Sequence, residues 1–248
     1  MARRLQDRLA LVTGASRGIG AAVARAYAAE GAHVVLIART QGGLEEVDDE
    51  IRAAGGSATL VPMDLRQFDA IDDLGRQLFE RWGRLDILVG NAAMLGELSP
   101  VGHLQPDNWD EAFALNVTAN WRLLRSMDPL LRQSAAGRAI FMTSGAARVL
   151  PPYWALYSAT KAALEALVLT YAREIEKTAV RANLVNPGPT RTRMRAAAFP
   201  GEDPQQVPQP EHVAESMICL AEAGFTGNGL WVAADADSTA PGSGDAVH

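Results

Sequence analysis

Short apolar runs alternate with helix-like stretches along the whole chain, and this alternation constrains the fold more than any other feature. The runs are LALVTG, HVVLIA, ATLVPMD, LDILVG, RAIFMTS, VRANLVNPG and GLWVAA. They are largely apolar rather than alternately polar and apolar, as is typical of parallel strands covered on both faces. The sequence therefore predicts an α/β fold, a doubly wound parallel seven-stranded sheet with helices on both faces.

The segments between these runs have helical composition or spacing. Helices are predicted over AAVARAYAAEG and over residues 44–54, 68–82, 108–131, 154–170 and 211–223. No linker or change of composition divides the chain, so we expect one domain over residues 1–248. The irregular stretch 189–210 has four prolines in its second half and is predicted to be a substrate lid. A flexible tail is expected after about residue 235.

Composition restricts the classes of partner and compartment. The net charge of -6 and the pI of about 5.3 argue against a nucleic-acid partner. One cysteine, Cys219, excludes an intrachain disulfide and fits a reducing compartment. No apolar run reaches the roughly 18 residues of a membrane span. The four histidines have no metal-ligand spacing. We therefore expect a cytoplasmic protein without a metal and without a membrane segment.

A glycine-rich turn, TGASRGIG, joins the first strand to the first helix. Glycines permit a tight turn, and a helix N-terminus offers unpaired N–H groups to a phosphate. A structural turn is the alternative, but the position between first strand and first helix favours dinucleotide binding and a Rossmann fold. The candidate cofactor-binding residues here are Gly14, Ser16, Arg17, Gly18, Ile19 and Gly20.

The residues at the end of the second strand indicate which dinucleotide the chain would bind. An acidic residue there would bind a ribose 2′-hydroxyl and disfavour a 2′-phosphate. This chain has Ala38, Arg39 and Thr40 instead, and Arg17 in the glycine turn adds a second cation. An arginine can pair with a phosphate through two hydrogen bonds. The cofactor predicted is NADP(H) in preference to NAD(H), although both arginines could simply be solvated.

Tyr157 and Lys161 lie four residues apart on the Ala- and Leu-rich helix WALYSATKAALEALVLT. Residues at this spacing share a helical face. A neighbouring ammonium favours the ionised phenol and would lower its pKa, which suits a tyrosine that gives or takes a proton near neutral pH. By itself the pair could be a coincidence of helical composition.

Motifs in a fixed order give the chain its resemblance to the short-chain dehydrogenase/reductase family, from about Leu5 to Ala234. They are the glycine turn, Asp64-Leu65, Asn91-Ala92, Asn116, Ser144, Tyr157-Ser-Ala-Thr-Lys161, and Asn186-Pro-Gly followed by Thr192. The segment from Pro187 through Met194 and Phe199 to Pro204 is similar to a bacterial branch of YciK-type oxidoreductases. Two departures are Gly90, where the family has asparagine, and Ala93, where it has glycine.

The resemblance implies hydride transfer between a nicotinamide and a carbonyl or secondary alcohol. It gives Tyr157 the role of general acid or base, Ser144 that of hydrogen-bond donor to the carbonyl oxygen, and Lys161 that of holding the nicotinamide ribose. Asn116 would support a water leading from Lys161 to solvent. The implied cofactor contacts are Asp64, Leu65, Asn91, Ala92, Ala93, Tyr157, Lys161, Pro187, Gly188, Thr190 and Thr192.

Apolar and aromatic residues around these motifs are candidates for the substrate pocket: Met94, Leu95, Ala146, Leu150, Tyr153, Trp154, Met194 and Phe199. They predict a small-molecule carbonyl or alcohol substrate with an apolar portion. The resemblance also implies a homodimer or homotetramer paired through helix 108–131 and the Tyr157 helix. A non-catalytic NADP(H)-binding regulator is the alternative function, and an S-adenosylmethionine-dependent methyltransferase is a third.

Overall fold

Seven parallel strands form one sheet in the order β3-β2-β1-β4-β5-β6-β7, which confirms the predicted fold. The structure, a computed structural model, describes residues 3–234. The tail predicted after residue 235 lies outside this range. The strands are β1 Leu9–Thr13, β2 His33–Ala38, β3 Ser57–Pro62, β4 Ile87–Gly90, β5 Arg138–Met142, β6 Arg181–Asn186 and β7 Trp231–Ala233.

Helices cover both faces of the sheet. They are α1 Gly18–Ala29, α2 Gln41–Ala53, α3 Phe68–Trp82, α4 Pro106–Phe113, α5 Ala119–Gln133, α6 Ala146–Val149, α7 Ala155–Glu174, α8 Arg193–Ala198 and α9 Ala214–Ala221. Short 3-10 turns occur at Val101–His103, Pro204–Gln206 and Pro210–Val213, and a π turn at Ala114–Thr118.

The inner strands are mostly apolar because successive residues enter two different cores. Val12 and Leu36 pack with α1, α2 and α9 on one face of the sheet. Leu11 and Ile37 pack with α3, α5 and α7 on the other face. Side chains alternate between faces along a strand, so a strand buried on both faces needs an apolar residue at every position.

The order of strand pairing reverses at β1, which pairs with β2 on one side and β4 on the other. Open α/β sheets bind ligands beyond the carboxyl ends of their strands at such a reversal. The glycine turn follows β1 and Asn91 follows β4, so both lie at this place. The fold thus brings together motifs that are more than 70 residues apart in sequence.

The structure corrects three predicted elements. The helix predicted over 108–131 is α4 and α5 separated by the π turn. The helix predicted over 211–223 starts with the 3-10 turn after Pro210 and becomes α-helical at Ala214. The stretch 189–210 is not wholly irregular, because Thr192 accepts a hydrogen bond from the Arg195 N–H and caps α8.

Candidate active site

The glycine turn leaves no room for side chains at its ends. Gly14 and Gly18 have φ values of 66° and 56°, a region that favours glycine. At Gly20, a Cβ atom would stand 2.3 Å from the Gly14 carbonyl oxygen and 2.6 Å from Asn91 Nδ2. The turn therefore approaches β4 closely and exposes the N-terminus of α1. This is the arrangement that a dinucleotide pyrophosphate requires.

Thr13 and Asn91 join the ends of β1 and β4. The Thr13 hydroxyl accepts from the N–H groups of Asn91 and Ala92, at 2.9 and 3.0 Å, and donates to the Val89 carbonyl. Asn91 Nδ2 donates to the Thr13 carbonyl at 2.8 Å. Asn91 thus braces the glycine turn through its side chain, a structural role beyond the cofactor contact that the motif predicts.

Arg17 and Arg39 are both exposed, and within residues 3–234 neither forms an ion pair. A Cβ on Gly43, in the first turn of α2, would stand 3.0 Å from Ser16 Cβ. The start of α2 therefore lies against the glycine turn, and Arg39 lies two residues before Gln41, where α2 begins. Both guanidinium groups remain available to an anion at this edge of the site.

Asp64 is held by Arg66 rather than left free. The Arg66 guanidinium contacts both Asp64 carboxylate oxygens at 2.8 to 3.2 Å, and its backbone N–H donates to Oδ1 at 3.0 Å. These bonds from Arg66 hold the pKa of the Asp64 carboxyl below its usual value. Leu65 points away into the core. Arg66 was not singled out from the sequence.

Tyr157 is buried beside Ser144. Burial raises the pKa of the Tyr157 phenol to about 12, and a hydrogen bond with the Ser144 hydroxyl acts in the opposite direction. The prediction that this pKa is lowered is wrong, because loss of hydration on burial is the largest effect on the Tyr157 phenol and raises its pKa. The phenol therefore carries its proton at neutral pH.

Lys161 lies on the same face of α7 as Tyr157, as its spacing predicts, with Nζ 5.6 Å from the centroid of the Tyr157 ring. Nζ donates to the Met142 carbonyl at 2.8 Å, at the end of β5. Burial lowers the pKa of the Lys161 ammonium to about 8, while Glu165 raises it.

Asn116 lies in the π turn, and its side chain is fully used. Oδ1 accepts from the Met94 N–H at 2.9 Å, and Nδ2 donates to the Met94 carbonyl and to Thr160 Oγ1. Thr160 in turn donates to the Tyr157 carbonyl. Asn116 thus lies where the π turn inserts one extra residue into the helical repeat.

The segment after β6 closes over the glycine turn. Asn186 Oδ1 accepts from the N–H groups of Gly145 and Gly188, which ties this segment to the residue after Ser144. A Cβ on Gly18 would stand 3.3 Å from Thr192 Cγ2, so Thr192 lies directly above the turn. Thr190 is buried, and its hydroxyl donates to the Pro187 carbonyl.

Aromatic side chains connect stretch 189–210 to Tyr157. The Trp154 ring lies 6.1 Å from the Tyr157 ring and 5.6 Å from the Phe199 ring, between centroids. The Met94 N–H donates to Asn116 Oδ1, and the Ala146 N–H donates to Ser144 Oγ. Met194 lies on α8 and is half-buried. Tyr153 is 62% exposed with φ of 72°, so it borders the group rather than lining it.

The two departures from the family motif have different surroundings. At Gly90, a Cβ would stand 2.2 Å from Phe141 Cδ1, so the Phe141 ring on β5 occupies the space of the usual asparagine side chain. Asn120 Oδ1 also lies 2.7 Å from that position. Ala93 is half-buried at the mouth of the site. The substitution at Gly90 is therefore compensated by its neighbours.

Among residues 3–234, no helix is both long and apolar enough to span a membrane. The same range holds no group of three or more histidine, cysteine, aspartate or glutamate side chains placed to bind a metal ion. A cavity of about 390 Å³ lies at the opposite end of the sheet, near Arg84. Arg3, Arg8 and Arg84 line it, and none of the predicted site residues does.

Comparison with known proteins gives the family. The family model for short chain dehydrogenase matches residues 8–203. The chain belongs to the short-chain dehydrogenase family. It is 35% identical to oxidoreductase YciK of Escherichia coli (strain K12) over 219 residues, 87% of this chain and 86% of that one. It is thus an NAD(P)-dependent oxidoreductase.

Two further relatives show how far the similarity extends. The 3-oxoacyl-[acyl-carrier-protein] reductase of Synechocystis sp. (strain PCC 6803) is 34% identical over 88% of this chain and 90% of that one. A short chain dehydrogenase from Shigella flexneri 2a str. 301, solved in complex with NADP, superposes with a TM-score of 0.91. It is 34% identical, and the match covers 94% of this chain and 99% of that one.

Proposed function

We propose that this protein is an NADP(H)-dependent carbonyl reductase, or the reverse alcohol dehydrogenase, with Tyr157 as the general acid or base. The observation that carries the proposal is the position of Tyr157. Its phenol is buried, hydrogen-bonded to Ser144, and shares a helical face with Lys161 at the carboxyl ends of the strands. A nicotinamide supplies the hydride when bound.

The proton step follows from the state of Tyr157. Its pKa of about 12 keeps the phenol protonated at neutral pH, so in the reductive direction it can donate to a carbonyl oxygen that is gaining negative charge. The Ser144 hydroxyl stands beside it and can donate a second hydrogen bond, which contributes a few kcal/mol to such reactions. Asn116, through its backbone at the π turn, would support a water leading from Lys161 to solvent.

Lys161 has two tasks in this proposal. Its ammonium would hold the ribose hydroxyls next to the nicotinamide. It would also stabilise the phenolate left when Tyr157 gives up its proton, because an opposite charge nearby favours the ionised form. The hydrogen bond from Nζ to the Met142 carbonyl fixes the side chain in that position.

The cofactor is proposed to lie along the carboxyl edge of the sheet. The Gly14–Gly20 turn would hold the pyrophosphate, Asp64 the adenine amino group, and Asn91 to Ala93 the adenosine ribose. Pro187, Gly188, Thr190 and Thr192 would meet the carboxamide. Arg17 and Arg39, exposed and without ion pairs in the described part of the chain, would bind a 2′-phosphate, and this favours NADP(H) over NAD(H).

The substrate is proposed to be a small carbonyl or secondary alcohol with an apolar portion. Trp154, Met194 and Phe199 would contact that portion, with stretch 189–210 as the lid of a single domain. The similarity to a 3-oxoacyl-carrier reductase makes 3-oxoacyl thioesters one class worth testing.

A homodimer or homotetramer is also proposed. Trp109 on α4 and Trp121 on α5 are 39% and 45% exposed, which is unusual for large apolar side chains. They lie within residues 108–131, a segment through which the family resemblance implies that subunits pair. Light scattering at micromolar concentration should give a mass of at least two chains of 26.5 kDa, and a monomer would contradict this part of the proposal.

One experiment tests the function. A panel of aliphatic ketones, aromatic ketones and 3-oxoacyl thioesters is incubated with NADPH and, in parallel, with NADH, and loss of absorbance at the reduced nicotinamide is recorded. Turnover that is faster with NADPH supports the proposal. Tight NADPH binding with no turnover across the panel would favour the non-catalytic regulator instead.

A further inference from the structure

Glu165 is a largely buried carboxylate that the proposed reaction does not use. It lies on α7, one turn after Lys161, and its side chain is only 12% exposed. A charged group in such a place destabilises the fold unless it has hydrogen-bond or ion-pair partners. The identity of those partners therefore indicates what the carboxylate does.

Three elements supply partners to Glu165. Oε1 accepts from Thr143 Oγ1 at 2.6 Å, after the end of β5, and from Trp231 Nε1 at 2.8 Å, on β7. Oε2 lies 3.6 Å from Arg148 Nε on α6. The Arg148 guanidinium stacks on the Trp231 ring, 4.1 Å from its centroid. One carboxylate thus links α7 to β5, α6 and β7.

These contacts surround the segment that carries Ser144. Lys161 donates to the carbonyl of Met142, and Glu165 accepts from the hydroxyl of Thr143. The next residue is Ser144. Two side chains from successive turns of α7 therefore hold two consecutive residues, and together they fix the position of Ser144 relative to Tyr157 on the same helix.

The charge of Glu165 also acts on Lys161. Burial lowers the pKa of the Lys161 ammonium to about 8, and the negative charge of Glu165 opposes that effect. Of the other titratable groups described near the pair, Tyr157 belongs to α7 and Arg148 comes from α6. The π turn contributes Asn116, whose amide does not titrate. Arg148 partly neutralises Glu165.

We propose that Glu165 is a positioning residue, which keeps Lys161 charged and holds the Ser144 segment in register with Tyr157, with Arg148 setting the strength of its field. The catalytic roles of Lys161 and Ser144 are those of the proposed function. The effect on Lys161 itself does not depend on that function and can be measured without a substrate.

The chain makes this measurement direct because it contains two lysines, Lys161 and Lys177. Lysine labelled with ¹³C at Cε gives two resonances, and the exposed Lys177 is the internal reference. Each resonance of the full-length protein is followed from pH 6 to 11. Glu165→Gln removes the charge but keeps an oxygen that can accept from Thr143 and Trp231.

The proposal predicts shifts of opposite sign in two variants. In Glu165→Gln, the Lys161 midpoint falls by about one pH unit, the lower end of the effect of a nearby opposite charge. In Arg148→Gln it rises, since the field of Glu165 is no longer neutralised. Glu174→Gln, the same change at the exposed end of α7, leaves the midpoint unchanged.

An unchanged Lys161 midpoint in Glu165→Gln would overturn the proposal. If Glu165→Gln does not fold, as judged by circular dichroism, Arg148→Gln provides the test. A Lys161 midpoint that falls or stays the same in Arg148→Gln would then contradict the proposal. Any ketone reduced in the panel gives a second measurement, since the alkaline limb of kcat/KM should follow the Lys161 midpoint. Failure of the proposed function would show instead as full activity in Tyr157→Phe, whatever Lys161 does.

Discussion

Substituting Gly20 by alanine is the sharpest test of the glycine turn. The added methyl group would stand 2.3 Å from the Gly14 carbonyl oxygen and 2.8 Å from the Gly14 carbonyl carbon, whereas ordinary contacts begin at 3.4 Å. The obstacle is backbone, which cannot rotate away as a side chain can. The turn and the N-terminus of α1 must therefore separate by roughly 1 Å, and overpacking of this kind costs about 1–3 kcal/mol.

Two measurements follow from this magnitude. A cost near 2 kcal/mol lowers the Tm of a domain this size by about 6 °C. The displaced N–H groups also lose hydrogen bonds to a phosphate, worth about 1.5–3 kcal/mol each, which corresponds to roughly a 10- to 100-fold loss of affinity. Differential scanning fluorimetry measures the first effect, and NADPH fluorescence titration measures the second.

Gly42→Ala is the matched control. A Cβ on Gly42, in the first turn of α2, meets nothing within 4 Å. The helix preference of alanine should raise stability by up to about 1 kcal/mol, with NADPH affinity unchanged. If Gly20→Ala keeps wild-type Tm and NADPH affinity, the close packing of the start of α1 against the Gly14 backbone is refuted.

Three further predictions concern cofactor choice, packing and pH. Arg39→Glu should lower NADPH affinity about 10- to 100-fold and spare NADH, because a carboxylate repels the 2′-phosphate and can bind the 2′-hydroxyl; an unchanged NADPH/NADH ratio in fluorescence titration would contradict this. Gly90→Ala should destabilise the protein because its Cβ would meet Phe141 at 2.2 Å. Adding Phe141→Leu should recover about 1 kcal/mol of that loss, measured by urea denaturation. Strictly additive effects of the two substitutions would contradict the predicted clash. Ketone reduction should fall as pH rises through about 8, because above its pKa Lys161 loses the charge that holds the ribose and stabilises the Tyr157 phenolate; a flat rate from pH 7 to 10 is the opposing result.

The fold follows from local patterns that the sequence shows directly. Continuous apolar runs such as HVVLIA need burial on both faces, and the two cores on either side of the sheet explain them. The bounds of α3, Phe68–Trp82, agree with the prediction because Gly83, with φ of 71°, ends the helix. The π turn at Ala114–Thr118 was not predicted, since its residues ALNVT carry no helix-breaking signal.

Contacts within the candidate site are less visible in sequence, because they join residues far apart in the chain. Thr13 lies in the quoted glycine motif, yet its hydrogen bonds to Asn91 and Ala92 depend on the pairing of β1 with β4. Arg66 holds Asp64 through a local bond that a two-residue spacing of opposite charges could have indicated. Asn186, by contrast, serves the Ser144 loop only because β6 lies beside β5.

The pKa of Tyr157 shows where spacing misleads. A tyrosine and a lysine four residues apart predict a lowered phenol pKa if both are hydrated. In the fold both side chains are buried, and loss of hydration raises the pKa of Tyr157 to about 12 and lowers that of Lys161 to about 8. Burial depends on the packing of α7 against β5 and β6, which helical spacing does not report.

The central claim, that Tyr157 delivers the proton, is tested most directly by Tyr157→Phe with a ketone that the wild type reduces. Loss of a general acid should lower kcat by about 10²- to 10⁴-fold, with NADPH affinity within about threefold of wild type, since the ring and its packing on Trp154 remain. Tyr171→Phe, which removes a hydroxyl bonded to Asp128 about four turns along the same helix, should keep wild-type kcat. Wild-type turnover by Tyr157→Phe would contradict the account.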